Sequence, residues 1–312
     1  MKILFAGTPD FSLPSLEYVY KNYNLVGILT QPDKPQGRGL KVKYSPVKEF
    51  AIKNNIPVFQ PEKLKDKKFI EILKKLSPDF ILDVAYGKIF PEDIINIPTE
   101  CAINIHPSLL PGYKGASPIR WVLINGETIT GVSAHLMTKE IDAGKIIYQE
   151  EVPIDANETY GSLYEKLAIK SAEIIPIVFS RYFEKKFMSD IVDKYKIKNF
   201  YARKMEHNDF KIDWNKSSEE IHNLIRASYP KPGTFTCYKD GIIKIYESEI
   251  IRNNKNEFKP GEIVAADIKQ GILVKTGDGI LKILKLQKEN KKILYYKDFL
   301  NGTKLQIKER FK

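Results

Sequence analysis

Short, almost wholly apolar runs alternate with longer runs of helical period through residues 1–124, and few folds accept that pattern. Ile3–Ala6, Leu25–Leu29 and Phe80–Val84 read as strands, with Phe11–Tyr20, Pro46–Asn54 and Phe69–Leu76 as helices among them. Ile103–Ile105 continues the strand series, and Ile119–Ile124 opens a helix directly after Pro118. Strands apolar on both faces must be covered on both faces, so the alternation predicts an α/β unit with a mostly parallel, Rossmann-like sheet. Thr159–Phe183 carries one long helical pattern, with Leu163, Leu167, Ile174 and Phe183 among its apolar positions.

The texture then changes. Lys185–Lys204 is rich in charge and poor in periodicity, as a linker is. Ser217–Ser228 reads as a short helix capped by Ser217 or Ser218 and ended by Pro230. After it come short β-rich runs at Thr234–Tyr238, Ile242–Glu247, Gly261–Ala266, Gly271–Thr276 and Ile280–Leu286. Lys239-Asp240-Gly241 and Thr276-Gly277-Asp278-Gly279 supply turns between such runs. A small β-barrel is the expected solution. The division is 1–186 for the sheet domain, 187–206 for the linker and 207–312 for the barrel.

With 312 residues the chain has length for two cores. Its cysteines, Cys101 and Cys237, fit no metal spacing and no disulfide framework, which suits a reducing compartment. The apolar run at the start is too short for a signal peptide, and no run approaches a membrane span. A cytoplasmic protein without membrane contact is expected, and nothing demands more than a monomer.

The net charge of +11 is unevenly placed. Residues 1–50 hold seven Lys/Arg against four Asp/Glu, residues 51–250 hold 28 of each, and residues 251–312 hold fifteen against seven. The excess therefore sits at the two ends of the chain. Lys34, Arg38, Lys41, Lys43 and Lys48 lie in one stretch with no acid among them. A solvated lysine-rich surface is the plain reading; a footprint for a polyanion such as nucleic acid is the functional one.

Asn104, His106 and Asp142 are the candidate chemistry. Asn104 and His106 stand two apart at the end of a β-like run, so both side chains leave on one face. An amide, an imidazole and a carboxylate provide what acyl transfer to an amine needs: an oxyanion donor, a proton carrier and a group to orient it. After His106, Pro107, Pro111 and Pro118 frame a rigid loop with Gly112 and Gly115 inside it, suited to the wall of a pocket for a planar ligand. The first strand-to-helix turn, Gly7-Thr8-Pro9-Asp10-Phe11, lacks the Gly-x-Gly-x-x-Gly that a dinucleotide wants, so no NAD is expected.

Asn104-Ile105-His106-Pro107-Ser108-Leu109-Leu110-Pro111, followed by Gly115-Ala116-Ser117-Pro118-Ile119, resembles the signature of the formyltetrahydrofolate-dependent formyltransferase family. Gly7–Phe11, Thr30–Gly39 and Ser45–Lys48 are similar to the members of that family that act on methionyl-tRNA, and Tyr86–Ile89 and Thr276–Gly279 fit as well. The resemblance spans nearly the whole chain. It implies a Rossmann-like catalytic domain and an OB-like C-terminal barrel. It implies a catalytic centre of Asn104, His106 and Asp142, and a folate site at Ser108, Leu109, Leu110 and Pro111. It further implies tRNA contacts from the loop bearing Arg38, with Lys34, Lys41 and Lys43 beside it.

The expected reaction passes the formyl group of 10-formyltetrahydrofolate, a co-substrate, to the α-amine of initiator methionyl-tRNA, with no metal and no nicotinamide. His135 departs from many tRNA-directed members; those acting on glycinamide ribonucleotide or amino sugars often have a histidine there, and it reads as facing the pocket from behind the catalytic residues. Two rivals stand beside this reading. One is a formyltransferase for a sugar nucleotide or other small amine, for which the terminal charge has no purpose. The other is a non-enzymatic RNA-binding protein, for which the intact Asn104, His106 and Asp142 have none.

Overall fold

The apolar runs pair as their two-sided burial requires. In a computed structural model that describes residues 1–36, 41–188, 198–239, 241–251 and 257–312, the early strands are β1 (Lys2–Ala6), β2 (Asn24–Leu29), β3 (Lys34–Gln36), β4 (Lys41–Lys43), β5 (Val58–Phe59), β6 (Phe80–Asp83), β7 (Cys101–His106), β8 (Ile129–Leu136) and β9 (Ile146–Pro153). Seven of them form one sheet in the order β5-β2-β1-β6-β7-β8-β9. The first five run parallel, while β8 and β9 are antiparallel. From β1 the chain adds strands first on one side and later on the other, so a crevice opens where β1 and β6 end, the place where open α/β sheets build sites.

The antiparallel edge was not visible in the alternation. Side chains of β9 alternate between inside and outside, as an edge strand with one wet face does. Helices α1 (Leu13–Asn22), α2 (Pro46–Lys53), α3 (Lys67–Leu76) and α5 (Pro118–Ile124) match the early pattern, and a short α4 (Glu92–Ile95) is added to it. Ser45 caps α2 by accepting from the Lys48 amide at 3.1 Å, and Pro46 occupies the first turn, where no amide is needed. The single long helix expected at Thr159–Phe183 is instead two, α6 (Tyr160–Glu173) and α7 (Ile175–Phe183). Pro176 is the reason: it has no N–H for the preceding turn and starts a new helix at its own N-terminus.

The chain forms two compact units, Met1–Pro118 with Ile129–Pro153 and Tyr164–Arg203, and Ile119–Thr128 with Ile154–Leu163 and Lys204–Lys312. In the second, α8 (Ser218–Ser228) starts from a reciprocal cap: Ser217 Oγ accepts from the Glu220 amide at 3.1 Å, and Glu220 accepts from the Ser217 amide at 3.0 Å. The strands are β10 (Thr234–Tyr238), β11 (Gly241–Ile251), β12 (Ile263–Asp267), β13 (Gly271–Lys275), β14 (Ile280–Lys288) and β15 (Leu294–Tyr295), followed by α9 (Tyr296–Asn301). Ile221 and Ile225, four apart on α8, meet Trp214, Ile245, Leu281 and Phe311 in one core.

The expected barrel is not closed by its strands. They form an antiparallel sheet in the order β10-β11-β14-β13-β12, with β15 beside β14, leaving β10 and β12 as edges. The chain's last residues satisfy both edges. Ile263 N–H donates to the Glu309 carbonyl and Phe311 N–H to Gly261, while Cys237 and Lys312 exchange both backbone hydrogen bonds. Edge amides that would otherwise recruit another strand are thus occupied from within. Residues 189–197, at the centre of the segment read as a linker, lie outside the described residues.

Candidate active site

The register of β6, β7 and β8 brings a row of polar side chains onto one face of the sheet. Asp83 of β6 pairs with Asn104 of β7, and Asn104 pairs with His135 of β8. His106, two residues beyond Asn104, leaves on the same face. Asn104 is half-buried, and its amide makes no hydrogen bond among the described residues. It stands beside the β6–β7 strand ends with both N–H groups uncommitted.

Asp142 lies between two imidazoles. Its Oδ2 is 3.7 Å from His106 Nδ1 and its Oδ1 is 3.7 Å from His135 Nε2; all three side chains are buried. The far nitrogens are fixed as donors. His106 Nε2 lies 3.0 Å from the Tyr113 carbonyl and His135 Nδ1 lies 2.9 Å from the Leu136 carbonyl. A carbonyl only accepts, so each of these nitrogens carries a hydrogen, and the neutral His106 ring turns a lone pair toward Asp142. A proton arriving on that lone pair finds a carboxylate waiting.

The charges agree with this. Burial pushes the Asp142 carboxyl up, but His135, His106 and the Gly115 amide, which donates to Oδ2 at 2.8 Å, together hold it down at about 2. Burial pushes the His106 imidazole below its ordinary range, against the pull of Asp142 and the Tyr113 carbonyl. At neutral pH the resting cluster is an ionised carboxylate flanked by a neutral His106.

Three non-glycine residues around this cluster sit in the left-handed region: Ala85 (φ 58°), Tyr113 (φ 57°) and Asp142 (φ 50°). Such backbone costs about 1–2 kcal/mol per residue, least for aspartate, and persists where surrounding contacts impose it. Tyr113 in that geometry aims its carbonyl at His106, and Asp142 in that geometry sits between the two histidines. Gly144 completes the turn because no side chain fits: a Cβ there would lie 1.6 Å from the Leu136 carbonyl oxygen.

The proline-framed loop is built from its own polar groups. Ser108 Oγ donates to the Gly112 carbonyl at 2.8 Å, and the Ser108 carbonyl accepts from Ser133 Oγ at 2.6 Å. The Leu110 amide donates to Ser133 Oγ at 3.0 Å, and its carbonyl accepts from Gln149 Nε2 at 2.9 Å. Leu109 is buried and lies against Gly131, while Pro111 is partly exposed. What Ser108–Pro111 offers a planar ligand is mainly a fixed shape.

The basic stretch is a two-stranded hairpin in which Lys34 pairs with Lys43 and Gln36 with Lys41 along the backbone. Lys43 is exposed, the side chains of Lys34 and Lys41 are not described, and Arg38 lies outside the described residues. Lys48, which ends the run, is engaged by Asp33, and Gln60 Nε2 donates to that carboxylate at 3.0 Å.

Sequence reasoning overlooked Asp83. It interrupts the otherwise apolar run Phe80-Ile81-Leu82-Asp83-Val84, and a charged residue in a strand covered on both faces is a signal in itself. Burial pushes its carboxyl up to about 7; the Tyr86 amide, donating at 3.0 Å, opposes the rise and the charge of Asp142 adds to it. The Tyr113 carbonyl and Gly115 amide were also missed, since backbone groups leave no mark in residue identity. Among the described residues no helix is long and apolar enough to cross a membrane, and no group of three His, Cys, Asp or Glu side chains is placed to hold a metal ion.

A parallel sheet whose strand ends gather an amide, an imidazole and a low-pKa carboxylate defines a transferase site of the acyl type, and comparison with known proteins narrows it. Residues 1–179 match the formyl transferase profile and residues 204–304 the profile of the formyl transferase C-terminal domain, so the chain belongs to the formyl transferase family. It is 44% identical to the methionyl-tRNA formyltransferase of a Sulfurihydrogenibium species over 100% of both chains. With that of Clostridium beijerinckii it shares 43% identity over 98% of both. Among solved structures, the sugar 3N-formyl transferase WlaRD, crystallised with dTDP and 5-N-formyl-THF, superposes with a TM-score of 0.64 at 25% identity, covering 94% of this chain and 99% of that one. HypX from Aquifex aeolicus in complex with tetrahydrofolic acid shares the fold at a TM-score of 0.60, covering 99% of this chain and 50% of that one.

Proposed function

We infer that this chain is an enzyme that transfers the formyl group of 10-formyltetrahydrofolate to the α-amine of methionyl-tRNA for translation initiation. The observation that carries the chemistry is the Asp142 carboxylate held between His106 and His135 beside the uncommitted amide of Asn104. The full-length likeness to methionyl-tRNA formyltransferases, through both the catalytic part and the C-terminal part, supports tRNA as the acceptor.

The residues divide the work as follows. The amine nitrogen bonds to the formyl carbon, and the carbonyl oxygen takes up negative charge that the Asn104 N–H groups stabilise. The amine then sheds a proton, for which His106 Nδ1 has the free lone pair and Asp142 stabilises the cation. With Nε2–H occupied by Tyr113, His106 becomes a second oxyanion donor only once Nδ1 is protonated, so its two roles occur in sequence. Collapse breaks the bond to N10 of the folate, and the proton passes to that nitrogen. Both substrates are consumed in each turnover, and the chain supplies position, charge stabilisation and a proton path.

Ser108–Pro111 would wall the folate, and Arg38 with Lys34, Lys41 and Lys43 would meet the tRNA. Catalysis would reside in 1–186 and further tRNA contact in 207–312, in a cytoplasmic monomer. Incubation of the pure protein with 10-formyltetrahydrofolate and either charged initiator tRNA or a dTDP-amino sugar tests the reading. Formylmethionyl-tRNA as the product is expected; transfer to the sugar alone would overturn it in favour of the small-amine rival.

A further inference from the structure

The Asn104 amide has an unanswered requirement. Its N–H groups must face the oxyanion, yet among the described residues nothing hydrogen-bonds its oxygen to hold the amide that way round. Its in-register neighbours, one strand away on the same face, are Asp83 and His135. On the β8 side His135 has Nδ1 bound to the Leu136 carbonyl and Nε2 facing Asp142. On the β6 side Asp83 has one oxygen, Oδ1, bound by the Tyr86 amide, while Oδ2 makes no hydrogen bond among the described residues. Adjacent strands place such neighbours about 5 Å apart at Cβ, within reach of a carboxyl-to-amide hydrogen bond.

We propose that Asp83 is a positioning residue for this reaction, donating from a neutral carboxyl to Asn104 Oδ1 and so turning the Asn104 N–H groups toward the formyl oxygen. The proposal rests on the formyl-transfer reading and adds to it a residue outside the three that the sequence suggests. A donated hydrogen bond needs the acid form, and the surroundings favour it. Asp83 is buried on a strand between β1 and β7, and its partner on β1 is Ala6. The groups facing it are the Asp142 carboxylate, with His106 and His135 behind it, and the Tyr86 phenol, a buried hydroxyl without a partner among the described residues. Among the described residues no cation touches Asp83 to stabilise its ionised form, and a second negative charge beside Asp142 would oppose the oxyanion. Ionisation of Asp83 therefore costs the reaction twice, by releasing Asn104 and by placing charge of the wrong sign in the site.

Two measurements test this. The first is turnover as a function of pH for the wild type, Asp83→Asn and Asp83→Leu. Asparagine keeps a donor that never ionises, so the ratio of Asp83→Asn to wild-type kcat, which cancels titration of the substrate amine, rises through pH 7. Leucine has no donor and lowers kcat by about tenfold at pH 6, the worth of one neutral hydrogen bond, with KM for the formyl donor changed far less. A flat ratio from pH 6 to 8.5 overturns the proposal. The second needs no turnover: the side-chain amide resonances of Asn104, identified by their loss in Asn104→Asp, shift with a midpoint near the Asp83 value of about 7 in the wild type and stay fixed in Asp83→Asn. The same titration persisting in Asp83→Asn overturns it. If the wild type transfers no formyl group but this titration is present, the functional reading fails and the Asp83–Asn104 contact stands.

Discussion

Replacing Asp83 by asparagine should stabilise the protein at alkaline pH and not at acid pH, by an amount the structure sets. The carboxyl sits at about 7 in the folded chain, against about 3.9 in an unfolded one. A folded-state value raised in this way means that the group's full contribution is present below about pH 4, where both states are protonated. It is lost progressively as pH rises through 7, because the unfolded chain ionises first. Three units correspond to roughly 4 kcal/mol at the plateau, of which about 3–4 kcal/mol falls between pH 4 and pH 8. Asparagine carries no such loss. Its amide adds N–H groups that need partners, a cost of about 1–3 kcal/mol, but that cost is equal at both pH values and cancels in the comparison. Urea unfolding of the wild type and Asp83→Asn at pH 4 and pH 8 measures the difference. Far-UV circular dichroism is the suitable probe, because both tryptophans, Trp121 and Trp214, belong to the second unit while Asp83 belongs to the first. Stability differences between the two proteins that are the same at both pH values would show that Asp83 ionises normally, and the argument from burial would fail.

Other perturbations isolate other parts. Asn104→Ala should lower turnover by roughly 100–1,000-fold with little effect on folding, the usual loss for one oxyanion donor; near-normal kcat would remove its assigned role. Gly144→Ala, whose Cβ would fall 1.6 Å from the Leu136 carbonyl oxygen, should displace the Asp142 turn and reduce kcat even where circular dichroism still reports a folded chain. Arg38→Ala should raise KM for methionyl-tRNA while leaving the formyl donor's unchanged; equal weakening of both would point to misfolding instead. Ser217→Ala removes the cap of α8 and should cost about 1 kcal/mol in unfolding experiments, with catalytic constants unaltered.

Much of the fold was legible because burial on both faces leaves a direct mark in residue order. Phe80–Val84 and Ile103–Ile105 read as strands for that reason, and Pro46 and Ser217 read as helix starts because a helix's first amides need an acceptor or a missing donor. The failures also have physical causes. Pro176 divides what periodicity joins, since an apolar stripe continues through a break that hydrogen bonding cannot cross. The segment that satisfies the β10 and β12 edges, Lys308–Lys312, went unread because it has no alternation to announce it.

Residue order by itself determined that Asn104 and His106 share a face, since two residues along a strand return to the same side, and with Asp142 they already suggested acyl transfer. It named all three residues but could not supply their geometry. Asp142 comes from a turn 36 residues beyond His106, and only the antiparallel return of β8 and β9 carries it to its place between two imidazoles. The donor nitrogens of both histidines depend on carbonyls that any residue could provide. Asp83, an anomaly in one dimension, acquires meaning only through the register that sets it beside Asn104. Local propensity and period act between neighbours in sequence, whereas tautomers and buried charge answer to whatever the folded chain brings within a few ångströms.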